Sequence, residues 1–187
     1  MKRSEIRQHI VETASELFYA KGYNATGINE IIAEAGIAKA TLYHHFRSKD
    51  AICIAYLKHK HHHFMHALTD FIRALPKGKG RILGVFDFLS EFYREPNFSG
   101  CWCIRTVAEI PADELQIRTE IQQQKKELLT FLREVILDNH TDVSKRAAKE
   151  LAHSLYLLYE GAVSESHLHQ NDWPIKSAKN IGAQLIS

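Results

Sequence analysis

Residues 25–46 read ATGINEIIAEAGIAKATLYHHF. Apolar residues recur at helical spacing on both sides of Gly36, which predicts two short helices joined by a turn of three or four residues. The first helix is expected to begin after Thr26, acting as its N-cap, and the second to cover about residues 38–46. Two such helices form a helix-turn-helix, whose second helix can enter the major groove of DNA.

The second of these helices has one apolar face and one polar face. At about 100° per residue, Leu42 and Phe46 point inward, and the outward face is short, polar and basic. Lysine, threonine, tyrosine and histidine can bond base edges or phosphates, alanine lets the backbone approach, and helix starts add phosphate-binding N–H groups. The alternative is an ordinary polar hairpin on a helical surface. The predicted DNA contacts are Thr26, Lys39, Ala40, Thr41, Tyr43, His44 and Lys49.

The charge distribution favours a polyanionic partner at the amino end. Over the whole chain of 187 residues the formal net charge is +2. Residues 1–49 contain seven Lys and Arg against five Asp and Glu, whereas residues 50–187 contain 17 of each. The whole excess of positive charge therefore lies with the helix-turn-helix, where it favours nucleic acid.

The rest of the chain also has helical periodicity, and no strand is predicted. We expect an all-α protein of about nine helices, with residues 1–47 as a three-helix DNA-binding domain and residues 48–187 as a larger helical domain. Ser48 is predicted to cap a long fourth helix, and Pro/Gly-rich loops are predicted near residues 76–80 and 95–100. Composition and the absence of a long apolar segment predict a cytoplasmic protein without a membrane partner.

Several segments resemble the TetR family of bacterial transcriptional regulators in register. They are Gly22-Tyr23, Thr26, residues 31–37 (IIAEAGI), residues 39–46 (KATLYHHF) and Ser48-Lys49. The resemblance implies a homodimer that binds a palindromic operator on double-stranded DNA, usually as a repressor, and is released by a small-molecule effector. No cofactor is expected. Ile32 and Ala38 depart from residues common in such motifs, which makes the operator harder to predict.

The larger domain is expected to hold the dimer interface and the effector pocket. The segment LAHSLYLLYEGAV is apolar on nearly every side, which favours an interface over an ordinary core, the alternative. The predicted interface residues are Leu151, Leu155, Leu158, Ala162, Val163, Ile175, Ala178, Ile181 and Leu185. The resemblance places a pocket among helices four to seven, although aromatic residues at helical spacing are more often plain core. The aromatic candidates are Phe64, Phe86, Phe92, Trp102, Tyr156 and Tyr159.

Two further patterns suggest other chemistry. His59, His63 and His66 share a helix face at metal-ligand spacing, although histidine runs of this kind are more often solvated surface. Cys101 or Cys103 could act as a thiol sensor, but the only evident basic neighbour in the sequence is Arg105. The rival functions are a metal-dependent helical enzyme and an adaptor without DNA. No catalytic constellation is present, so we expect neither an enzyme nor a bound metal.

Overall fold

The computed structural model describes residues 3–186, and within that range the protein consists of nine helices without a strand. The prediction of an all-α fold is confirmed. The helices are α1 (Arg3–Lys21), α2 (Ile28–Glu34), α3 (Lys39–His45), α4 (Lys49–Ala74), α5 (Lys79–Tyr93), α6 (Trp102–Glu109), α7 (Leu115–Asn139), α8 (Lys145–His169) and α9 (Trp173–Leu185).

The chain forms two compact units. One takes in the chain up to His63 together with Trp102–Gln123, and the other takes in Phe64–Cys101 together with the chain from Gln124 onward. The predicted domain boundary after residue 47 stays a prediction. The compact unit that contains the helix-turn-helix extends past that residue and includes the first part of α4.

The unit that contains the helix-turn-helix has a small core from its first helices. Helix α1 packs against α2, and α2 against α3. Ile10, Phe18, Ile31 and Leu42 are at most 3% exposed, so each of these helices contributes to the core. Burying such side chains is the main favourable term for short helices, which are marginal on their own.

The second unit is built around α5, α8 and α9. Helix α8 packs along α9, and α5 packs against both. Gly182 of α9 lies against Phe86 and Leu155, where an added Cβ would approach their side chains to within 3.2 and 3.1 Å. The inner faces of α8 and α9 are therefore covered by the chain's own residues.

This packing corrects part of the predicted dimer interface. Five of the nine proposed residues have side chains at most 5% exposed in the core of this unit: Leu155, Ala162, Val163, Ile175 and Ala178. Leu151 and Leu158 are half-buried against the same core, whereas Ile181 and Leu185 are 46% and 48% exposed. The prediction is wrong for the five buried residues, because a side chain enclosed by its own chain cannot contact a partner.

Across residues 3–186, no helix combines the length and the apolar character that crossing a membrane requires.

Candidate nucleic-acid interface

Helix α3 has the two faces that the sequence predicts. Leu42 is fully buried and Phe46, which follows the helix, is 4% exposed. Lys39, Ala40, Tyr43 and His44 are exposed, and Thr41 is half-buried. Ala38 is the N-cap and offers no side-chain hydrogen bond, since alanine lacks an acceptor. The exposed face is thus a short row of donors beside small side chains.

The turn before α3 depends on Gly36. Its φ of 62° lies in the left-handed region that glycine adopts without strain. The Gly36 N–H donates to the carbonyl of Ala33, and the Ile37 N–H donates to that of Ile32, so the end of α2 is satisfied. The Ala35 carbonyl lies 3.0 Å from Nε2 of His9 on α1. These contacts fix the direction in which α3 leaves the turn.

The prediction that Thr26 is the N-cap of α2 is wrong, whereas its predicted contact with DNA stays a prediction. The N-cap of α2 is Gly27, and Thr26 is fully buried with its hydroxyl donating to the carbonyl of Gly22 at 2.8 Å. Thr26 instead closes the loop between α1 and α2.

At the start of α4, a lysine ammonium lies over an aromatic ring. Ser48 caps the helix as predicted, its hydroxyl accepting from the Ala51 N–H at 3.1 Å. The Lys49 ammonium lies 4.2 Å from the centre of the Tyr23 ring, and the Tyr23 hydroxyl donates to the Asp50 carboxylate. Burial, and then the hydrogen bond to Asp50, raise the pKa of Tyr23 far above its ordinary value. Tyr23 therefore stays neutral and orients Lys49. The sequence analysis missed this role because it considered only side chains that can donate hydrogen bonds to DNA.

The positive charge of this surface comes from lysine and arginine rather than from His45. Its ring lies 5.3 Å from that of His44, and its pKa is lowered by burial, by His44 and by Arg3 and Arg7. A lowered pKa keeps this imidazole neutral at pH 7. Lys39, Arg47 and Lys49 supply the charge that a phosphate backbone would meet.

The histidine-rich part of α4 brings two imidazole rings close together. The His59 and His63 rings are 4.4 Å apart at a steep angle. Within the described residues, no group of three or more His, Cys, Asp and Glu side chains is arranged to hold a metal ion.

The six predicted pocket aromatics are divided between the two compact units. Trp102 belongs to the unit of the helix-turn-helix, where the Lys60 ammonium lies 5.5 Å from its ring, whereas the other five belong to the second unit. Phe86 is fully buried and Tyr159 is 4% exposed, so both are core. Phe64, Phe92 and Tyr156 are half-buried.

An open groove of about 520 Å³ lies between α4 and α7, and the predicted aromatics take no part in it. Its lining mixes apolar and polar side chains, and a Lys58–Glu120 ion pair of 3.5 Å crosses it. The lining residues are Ile54, Lys58, Leu115, Gln116, Thr119, Glu120 and Gln123.

Comparison with known proteins agrees with this geometry. Residues 10–56 match the family of bacterial regulatory proteins called tetR. The HTH-type transcriptional repressor NemR of Escherichia coli is 25% identical to this chain. The match covers 95% of this chain and 94% of NemR. The crystal structure of SCO4454, a TetR-family transcriptional regulator from Streptomyces coelicolor, superposes with a TM-score of 0.81 at 26% identity, covering 98% of this chain and 93% of that one.

The chain is thus similar to TetR-family regulators over nearly its whole length. A further relative, the HTH-type transcriptional regulator LmrA of Bacillus subtilis, is 25% identical over 94% of this chain and 93% of its own. Each of these relatives is named as a transcriptional regulator, which favours a regulator over the enzyme and adaptor alternatives.

Proposed function

We propose that this protein is a homodimeric transcriptional repressor of the TetR family that binds a palindromic operator and is released by a small-molecule effector. The observation that carries the proposal is the face of α3, on which Lys39, Tyr43 and His44 are exposed while Leu42 and Phe46 anchor the helix from behind.

In the proposed complex α3 lies in the major groove. Lys39 donates to guanine, and Thr41, Tyr43 and His44 bond base edges or phosphates. Exposed Ala40 lets the helix backbone approach the bases. Lys49, held over the Tyr23 ring, pairs with a phosphate at the start of α4.

Two α3 helices are needed, because one reads only a few base pairs, and a two-fold dimer would hold them roughly 34 to 36 Å apart. Helices α8 and α9 each carry a stripe of exposed residues on the side that faces away from α5. The stripe on α8 is Leu157, Gly161, Ser164 and Leu168, and that on α9 is Trp173, Ser177, Ile181 and Leu185.

These two stripes suit a four-helix interface between copies. Leu157, Leu168 and Trp173 are 69%, 70% and 50% exposed, which is unusual for large apolar side chains. Small residues between them allow close approach of a partner helix. We therefore assign the interface to these stripes. Two of their residues, Ile181 and Leu185, also belong to the interface that the sequence predicts.

The proposed repression is supported by the relatives, and the proposed effector release by the aromatic side chains of the second unit. NemR is named as a repressor. The half-buried aromatics Phe64, Phe92 and Tyr156 offer apolar surface to a small molecule. A molecule that binds more tightly to a dimer arrangement unsuited to DNA would weaken DNA binding. We place this activity in the cytoplasm, where a bacterial operator lies.

Selection of bound sequences from random duplexes tests the proposal. The expected result is an inverted repeat, bound with an affinity that falls steeply with salt. Tyr43→Ala and Lys39→Ala should each weaken binding about 5- to 30-fold, while Lys77→Ala, in an exposed loop, should not. An asymmetric site, or wild-type affinity in both α3 variants, would contradict the proposal. Metabolites that release the bound operator would identify the effector class.

A further inference from the structure

The histidine-rich part of α4 meets α1 at a polar contact. Nδ1 of His59 lies 3.4 Å from the side-chain amide nitrogen of Gln8 on α1, and the same nitrogen donates to the Glu12 carboxylate at 2.9 Å. His59 is half-buried, whereas Gln8 and Glu12 are exposed. A chain of three polar groups therefore joins α4 to α1 within the unit that contains the helix-turn-helix.

This contact depends on the protonation state of His59. An amide nitrogen is a donor only, so the contact is a hydrogen bond when Nδ1 of His59 is an acceptor, as in the neutral imidazole with its proton on Nε2. In the imidazolium both ring nitrogens carry protons, and two donors would face each other. Turning the Gln8 amide over would offer its oxygen to His59 but would point that oxygen at the Glu12 carboxylate. Protonation therefore costs one of the two hydrogen bonds in either arrangement.

The groups around His59 also oppose its protonation. The ring of His63, one turn further along α4, lies 4.4 Å from the His59 ring. The pKa of His59 is lowered by burial first and then by His63; Glu12 of α1 opposes the shift, and Lys60 and His62 make smaller contributions that lower the pKa. The arrangement of α1 on α4 in this structure is thus the one that suits a neutral His59.

The position of α1 on α4 bears on both parts of the candidate DNA interface. Helix α1 packs against α2, and α2 against α3, so a shift of α1 on α4 moves the face of α3 relative to Lys49 at the start of α4. The apolar part of the contact joins Phe18 to Tyr56, whose ring centres are 5.5 Å apart. Neither of these side chains changes charge near neutral pH. The Gln8–His59 contact therefore adds a pH-dependent part to packing that is otherwise constant.

We propose that the contact between His59 and Gln8 makes operator binding sensitive to acid, because protonation of His59 weakens the packing of α1 on α4 that places α3 and Lys49 on the same operator. Histidine is the side chain whose charge changes closest to physiological pH. The inference rests on the proposed function, since operator binding is the activity that the proton would regulate.

The first test compares operator affinities at two pH values. Affinity for an operator selected from random duplexes is measured by fluorescence anisotropy at about pH 7.5 and about pH 5.5, at constant salt. His59→Gln keeps an acceptor oxygen for Gln8 at both pH values. The variant should equal wild type at the higher pH and bind about 3- to 10-fold more tightly than wild type at the lower one.

Two controls accompany this comparison. Wild type and His59→Gln differ at one residue, so titration of the other groups cancels in the ratio of their affinities. His153→Gln, exposed on α8, should follow wild type at both pH values. Circular dichroism at each pH shows that the proteins compared are folded.

Gln8→Glu tests the contact itself. A carboxylate at this position accepts a hydrogen bond from protonated His59, so the imidazolium gains a partner where the wild-type contact loses one. The loss of operator affinity on acidification should therefore be about threefold smaller in Gln8→Glu than in wild type. A merely structural role of His59 predicts no such rescue.

Titration of His59 by NMR, in the free protein and in the operator complex, gives a second readout. Linkage is reciprocal, so a proton that weakens operator binding must itself bind more weakly in the complex, and the pKa of His59 should be lower there. The same pKa in both states, or the same acid response in wild type and His59→Gln, would overturn the inference and leave the proposed function standing. A protein that binds no duplex at either pH would overturn both.

Discussion

The Glu109 carboxylate of α6 lies directly over Gly22, the residue that follows α1, so that a Cβ at this glycine would overlap the carboxylate oxygens. The backbone of Gly22 has a φ of 93°, a conformation that other residues adopt with strain. Asn24 adds two hydrogen bonds, from its N–H to the Glu109 carboxylate at 2.7 Å and from its amide to the Glu109 carbonyl at 2.9 Å. Within this unit the end of α6 thereby holds the loop that leads into the helix-turn-helix.

Gly22→Ala should destabilise the protein by roughly 1 to 3 kcal/mol, because the new side chain meets both an unfavourable φ and the Glu109 carboxylate. Chemical denaturation would measure the loss. Gly27→Ala is the matched control, since nothing lies within 4 Å of a Cβ at Gly27. Equal effects of the two substitutions would refute the argument for a close approach at Gly22.

Lys49→Gln should lower the slope of log affinity against log salt by about one, since one lysine–phosphate contact is lost. Titration of a labelled operator at several salt concentrations gives the slope. Lys77→Gln, in an exposed loop, should leave it unchanged. An unaltered slope for Lys49→Gln would mean that this ammonium, held over the Tyr23 ring, does not reach DNA.

Leu157→Glu should shift the protein from dimer to monomer, because a carboxylate in an apolar interface is left without a partner. Sedimentation velocity would show the change. Leu115→Glu is the control, since Leu115 is 66% exposed and Leu157 is 69% exposed, but Leu115 lies on α7, outside the proposed stripes. A fully dimeric Leu157→Glu protein would rule out this assignment of the interface.

Local signals in the sequence were enough to predict the helices. The third helix was expected over residues 38–46 and runs from Lys39 to His45, because capping, turn chemistry and apolar spacing are all encoded within a few residues. The inward direction of Leu42 and Phe46 follows from the same spacing. For this reason the face of α3 could be predicted almost residue by residue.

Contacts between distant segments could not be predicted in this way. The apolar residues around α8 have no feature that separates Leu155, which α9 covers through Gly182, from Leu157, which stays exposed. Periodicity gives a face but not the neighbour that covers it. Likewise, Lys125 and Cys101 are 24 residues apart, and only the packing of α7 brings the ammonium to the sulfur.

Acidification from about pH 7.5 to about pH 5.5 should destabilise the protein partly through His59. Its pKa is lowered by burial first and then by His63; Glu12 opposes the shift, and Lys60 and His62 make smaller contributions that lower the pKa. As the pH falls through the ordinary histidine pKa, the unfolded chain takes up a proton before the folded side chain does, so stability is full above that value and declines below it. His59→Gln should therefore show a smaller drop in melting temperature over this interval than wild type, while His153→Gln, exposed on α8, serves as the control. If His59→Gln lost as much stability on acidification as wild type, the pH dependence would have to come from other groups.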